Sequence, residues 1–124
     1  SIYGDFLRQY VKKGANRITI ITNDGWWKKT PGHIQHFHYA RLRAIETGCW
    51  VARSANTGIS GFINPKGAVV EYKGYGIAAV CAQSISLTNH SPTFYVQHGD
   101  WLFKWIVVLT IILLLISLLP KFRQ

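Results

Sequence analysis

Arg17 to Trp27 reads RITIITNDGWW. Its first six residues, Arg17–Thr22, are short, apolar and rich in β-branched side chains, which is the composition of a strand. Asn23, Asp24 and Gly25 then end it with turn chemistry. Downstream, Thr30-Pro31 has the form of a helix N-cap followed by Pro in the first turn. Ile34, Phe37, Leu42, Ala44 and Ile45 carry that helix from about Gly32 to Thr47, and Gly48 occupies the place of a C-terminal glycine. A strand that turns straight into a helix is the opening of an α/β unit.

Working outward, the residues before Arg17 fit a short helix over Asp5–Lys13, with Phe6, Leu7, Tyr10 and Val11 at helical spacing and Gly14 as its stop. After the long helix come short strands at Trp50–Ser54, Ile59–Ile63, Ala68–Tyr72 and Ile77–Gln83. They are punctuated by Asn56-Thr57-Gly58, Asn64-Pro65-Lys66-Gly67 and Gly74-Tyr75-Gly76. Strand–helix–strand followed by hairpins predicts an α/β layered sheet. Ser84 to Asp100 is polar and turn-rich, a strap. Trp101–Leu119 (WLFKWIVVLTIILLLISLL) holds one charge in 19 residues. At 1.5 Å per residue it spans roughly 28 Å, the thickness of a bilayer's hydrocarbon core. Trp101 and Trp105 suit the aromatic belt, and Lys104 can snorkel from that end.

The 124 residues hold at most one domain, and 48% hydrophobic with 14% aromatic residues argues against disorder. The formal charge is +9. Lys104, Lys121 and Arg123 flank the apolar segment, and the other eleven basic residues still outnumber the five acidic ones. Such a balance suits an anionic partner. No run of Lys and Arg with interleaved aromatics resembles a nucleic-acid motif, so lipid headgroups are the expected partner and nucleic acid is not. Lys121 and Arg123 place the C-terminus in the cytoplasm and the domain outside. The chain contains no Met and begins with Ser, which reads as a processed product or a fragment.

Few residues offer chemistry. His33, His36 and His38 lie close together, but no carboxylate or Cys matches them, so they read as packed or surface histidines and no metal is expected. Cys49 follows a helix C-terminus, where the dipole disfavours a thiolate, and Cys81 falls inside an apolar strand. Two separate buried thiols are expected rather than a bridge. The loop Thr22–Trp27 is the most suggestive stretch, because it leaves the end of a strand, where α/β folds place their sites.

ITNDGWW, the helix with HxxxARLRAIETG and then ARSANTGISGFINPKG together resemble the second half of a carbon–nitrogen hydrolase (nitrilase-type) domain. More narrowly they resemble the apolipoprotein N-acyltransferase family. The resemblance rests on Asn23, Asp24, Trp26, Trp27, His36, Ala40, Arg41, Arg43, Ala44, Glu46, Arg53, Asn56, Gly58 and Gly67. Thr93, Tyr95, Gly99, Asp100 and Trp101 add that family's passage into its last membrane helix. The implied fold is the second half of an α-β-β-α sandwich over residues 1–92, then a strap (93–100), a transmembrane helix (101–119) and a cytoplasmic tail (120–124).

The implied activity moves an acyl chain from a phospholipid to the N-terminal amine of diacylglyceryl-cysteine on an apolipoprotein. It proceeds through a cysteine thioester, without cofactor, in a monomer of the bacterial inner membrane whose domain is periplasmic. The family's Glu–Lys–Cys triad has no counterpart here, and its Cys-Tyr-Glu motif falls just ahead of the first helix. The resemblance therefore implies a C-terminal piece with no catalytic residue of its own and no acyl transfer. Asn23, Asp24, Trp26 and Trp27 would support an active-site loop. Glu46 with Arg43 or Arg53 would form a structural ion pair, and Arg53 to Gly58, including Asn56, would line the same end of the sheet. Two other readings stay open: a membrane-anchored module that binds lipid or a partner without catalysis, and a membrane-anchored nitrilase-like amidase.

Overall fold

The computed structural model describes residues 2–87 and 91–118. The first helix, α1, is Gly4–Lys12 and leads into strand β1, Arg17–Thr22. A 3-10 turn over Gly25–Trp27 precedes α2, Pro31–Thr47, which ends at Gly48 in the left-handed conformation at φ 67°. The hydroxyl of Thr30 makes no cap bond to α2 and instead donates to the carbonyl of Trp27, tying the turn to the helix start. Strands β2 (Trp50–Ala55), β3 (Ser60–Ile63) and β4 (Val69–Lys73) follow.

The sheet order is β1-β2-β3-β4. β1 and β2 are parallel in the register Ile18↔Val51 and Ile20↔Arg53, with α2 as the crossover between them. β2, β3 and β4 form antiparallel hairpins, with an irregularity between Phe62 and Ile63. One face of the sheet is covered. Ile18, Ile20, Val51 and Ile63 meet Phe37, Ala40 and Ala44 of α2, and Leu7 and Val11 of α1 pack against that core. The period-2 alternation of strand side chains puts Thr19 and Ile21 on the other face, where Ile21 is 85% exposed.

The α/β layering and the four strands from Arg17 to Lys73 agree with the sequence reading to within a residue or so at each end. The strand expected at Ile77–Gln83 does not form. A strand needs a ladder partner, and Gly76, whose N–H donates to the Thr57 carbonyl at 2.8 Å, steers the chain away from the β4 edge. Residues 77–81 instead run beside Thr19, Ala52 and Phe62 across the uncovered sheet face. Cys81 is therefore half-buried in irregular chain rather than buried in a strand, while Cys49 is buried as expected; both thiols are free.

The strap contains a short helix, α3 (Phe94–His98), whose first turn is capped by the Thr93 hydroxyl accepting from the Val96 N–H at 3.1 Å. The Thr93 hydroxyl also donates to the Glu46 carbonyl near the end of α2, which docks the strap on the domain. The last helix, α4, is Trp101–Leu118, with none of its length buried against the domain and a mean hydropathy of 2.5. It is long and apolar enough to cross a membrane. Leu119 and the expected cytoplasmic tail lie outside the described residues.

Candidate functional site

The end of β1 gathers five of the nine residues singled out in the sequence. Asp24 is fully buried. Its Oδ2 accepts from Nη2 of Arg53 at 2.6 Å, and its Oδ1 accepts from Nδ1 of His36 at 2.8 Å and from the Thr22 hydroxyl at 3.3 Å. An ionised carboxylate only accepts, so Nδ1 of His36 holds the hydrogen. Burial by itself would raise the Asp24 carboxyl. The hydrogen bonds from His36 and Arg53, and the charges of both, outweigh it and leave the pKa below the ordinary carboxylate value. Arg53 also donates from Nε to the Ile59 carbonyl at 3.1 Å, so one guanidinium holds the loop after β1 and the β2–β3 hairpin together.

Asn23 and Asn56 join the same two loops on the solvent side. Nδ2 of Asn56 donates to Oδ1 of Asn23 at 2.7 Å, and Oδ1 of Asn56 accepts the backbone N–H of Asp24 at 3.1 Å. Oδ1 of Asn23 also accepts the N–H of Gly25 at 3.0 Å, which closes the turn into Trp26. Gly58 passes so near that a methyl group there would overlap the Asp24 carboxylate. The glycine is required by close approach, not by an unusual φ.

The remaining four residues lie elsewhere. Trp26 is 85% exposed and outside the ion cluster. Trp27 lies on the backbone of Gly32 in the first turn of α2, where any side chain would strike the indole. Arg43 and Glu46 sit toward the other end of α2. Nη1 of Arg43 lies 3.0 Å from Oε2 of Glu46, so Arg43 and not Arg53 is the partner of that glutamate. Burial pushes the Glu46 carboxyl up, Arg43 opposes this and Asp100 adds to it, with the net shift upward. The Tyr95 hydroxyl is raised too, first by burial and then by the charges of Glu46 and Asp100.

Two participants lie outside the set of site residues that the sequence predicts. The sequence predicts a packed or surface role for His36, yet it bonds Asp24, whereas His33 turns away and packs on the Tyr75 ring at 4.8 Å. The usable signal was a carboxylate leaving a strand with a histidine one turn into the next helix. Tyr95 joins Arg43 beside Gly4 only because the strap folds back, and local sequence carries no trace of that. Among the described residues no three His, Cys, Asp or Glu side chains converge as a metal site. Burial raises the Cys49 thiol, with a weaker opposing effect from Thr47, so Cys49 is a poor nucleophile.

A parallel β–α–β unit with an ion cluster at its strand ends, continued by antiparallel hairpins, agrees with the family match: the carbon–nitrogen hydrolase model matches residues 1–89, and the chain belongs to that family. The relatives it resembles are apolipoprotein N-acyltransferases. It is 38% identical over 108 residues to the one from Agrobacterium fabrum, covering 87% of this chain and 20% of the relative. It is 32% identical over 117 residues to the one from Thermotoga maritima, covering 94% and 23%. Over 66 residues it is 50% identical to the one from Sinorhizobium medicae, covering 53% and 12%. The chain thus spans about a fifth of the length of the first two relatives.

Proposed function

We propose that this chain is the C-terminal part of a membrane acyltransferase that moves a fatty acyl chain from a phospholipid to the N-terminal amine of diacylglyceryl-cysteine on an apolipoprotein. The observation that carries the reading is α4. A helix of membrane length follows a carbon–nitrogen hydrolase domain by way of the strap, and the relatives this chain resembles are named as N-acyltransferases. In this reading residues 1–92 complete the hydrolase-type domain on the periplasmic side of the inner membrane. Residues 93–100 lead to the membrane, 101–119 cross it and 120–124 are cytoplasmic.

The reaction splits a difficult acyl transfer into two steps. A cysteine thiolate attacks the phospholipid ester to form a thioester and release lysophospholipid. The acceptor amine then attacks the thioester and frees the thiol. The triad for this has no counterpart among these 124 residues, so the chain alone transfers no acyl group. Asn23, Asp24, Trp26 and Trp27 serve as support for the active-site loop. Arg43, Glu46, Arg53, Asn56 and Gly58 hold the scaffold behind it.

A chimera tests this. The matching region of the Agrobacterium fabrum relative is exchanged for this chain, and the chimera is reconstituted with phosphatidylethanolamine and a diacylglyceryl-cysteine peptide. The expected result is a hydroxylamine-sensitive acyl-enzyme and an N-acylated peptide, with neither product from the isolated chain. A membrane-inserted chimera that forms no acyl-enzyme, or that cleaves only small amides, overturns the reading.

A further inference from the structure

The membrane helix has a root, and that root is aromatic. Nη1 of Arg8 in α1 donates to the Val96 carbonyl of α3 at 3.1 Å, and Ile2, Tyr3 and Asp5 share a hollow with Tyr95 and Asp100, the residue before α4 begins. The N-terminal end of α1 therefore stands beside the first turn of α4. Phe6 and Tyr10 stand one turn apart on α1, Ile2 and Tyr3 lead into it, and all four are exposed. Phe6 and Tyr10 meet edge to face at 5.0 Å, so the patch is continuous along α1. On the α4 side, exposed Phe94 meets Trp101 edge to face at 6.0 Å, and Lys104 and Trp105 follow. Exposed Lys12 and Lys13 follow Tyr10 at the end of α1; of the acids beside the patch, Asp5 is paired with Arg8 at 2.7 Å and Asp100 directly precedes Trp101.

We propose that this face of α1, together with Phe94 and Trp101, is a seat on the bilayer, resting in the headgroup–acyl boundary of the leaflet from which α4 emerges. Aromatic side chains beside Lys and Arg are the composition that this boundary favours. The occupant is lipid because the patch is continuous with a helix of membrane length and carries exposed lysines at its edge. The exposed Trp26 is not part of it. Trp27 packs at the start of α2 and Thr93 binds near its end, so α2, about 25 Å long, separates that loop from the root of α4. The seat orders depth along α1, with Tyr3 and Phe6 in the boundary and Tyr10 a turn further out. It rests on α4 crossing a bilayer and not on acyl transfer.

Hydroxyl-radical footprinting of the unaltered chain, one copy per nanodisc of phosphatidylethanolamine and phosphatidylglycerol, tests the seat. Tyr72 is the reference, being exposed like Phe6 (62% and 59%) but on β4. Tyr3 and Phe6 are expected to be oxidised several-fold less than Tyr72, Tyr10 to an intermediate degree, and Leu113 not at all. Oxidation of Tyr3 and Phe6 at the rate of Tyr72 with Leu113 protected overturns the seat while leaving the membrane helix intact. Oxidation of Leu113 removes the helix from lipid and the seat with it. Protection of α1 only when two copies share a nanodisc assigns the face to a second chain and overturns the proposal.

Discussion

Asp24 is held at three points, and its replacement separates charge from shape. Asp24→Asn keeps the volume but leaves Arg53 as a buried cation without its anion, which costs about 3–5 kcal/mol. The alkylation rate of Cys49, whose thiol is reached only when the core opens, reports that loss and is expected to rise steeply. The pH dependence has a definite sign. The folded pKa of Asp24 lies below its unfolded value of about 3.9, so its contribution is complete above that value and is lost as pH falls through the folded pKa. Glu46 acts the other way. Its folded pKa is raised, so its unfavourable contribution appears as pH climbs from about 4.3 through the folded value. Opening rates followed by Cys49 alkylation after brief incubation between pH 3 and 6 are expected to flatten at the acid end in Asp24→Asn and at the upper end in Glu46→Gln. The sequence marks His36 by its place one turn into α2 and by the family pattern, but only the packed structure shows it bonding Asp24 while His33 packs on Tyr75.

At the scale of elements, α2 and β2 carry the domain. Ile63 of β3 is fully buried between β2 and the helix layer, and Ile63→Ala is expected to cost about 2–5 kcal/mol, measurable as a lower urea midpoint in the chimera. The tight turns were legible because their residues carry local chemistry. Gly48 takes the left-handed conformation at the end of α2, and Oδ1 of Asn64 accepts the N–H groups of Lys66 and Ala68 at 2.9 and 3.0 Å. Ile77–Gln83 failed as a strand for a non-local reason. Its β-rich composition describes a residue's preference, whereas the ladder requires a neighbour that the turn at Gly76 steers it away from.

For the molecule as a whole, the decisive feature is a sheet covered on one face only. Ile21 and the residues around Thr19 and Ala52 are left to a single irregular segment. The 124 residues alone are therefore expected to melt broadly in detergent, since half of a two-sheet core is a small stabilising area. A sharp, cooperative transition by calorimetry would contradict this. Under mild conditions Cys81 is expected to react with iodoacetamide faster than Cys49, which peptide mass spectrometry resolves.

Periodicity and turn chemistry determined α1, β1, α2, three of the four later strands expected and the apolar helix, because each is specified by residues near one another in the chain. Motif order was enough to suggest the family as well. The tertiary structure decided which charges meet. Asp24 could have faced solvent, and Arg53 could have paired with Glu46; packing α2 on the sheet buried Asp24 between His36 and Arg53, and left Glu46 to Arg43 under the strap. A buried charge must find its partner wherever the fold supplies one, and that location is a property of the packed layers rather than of any stretch of sequence.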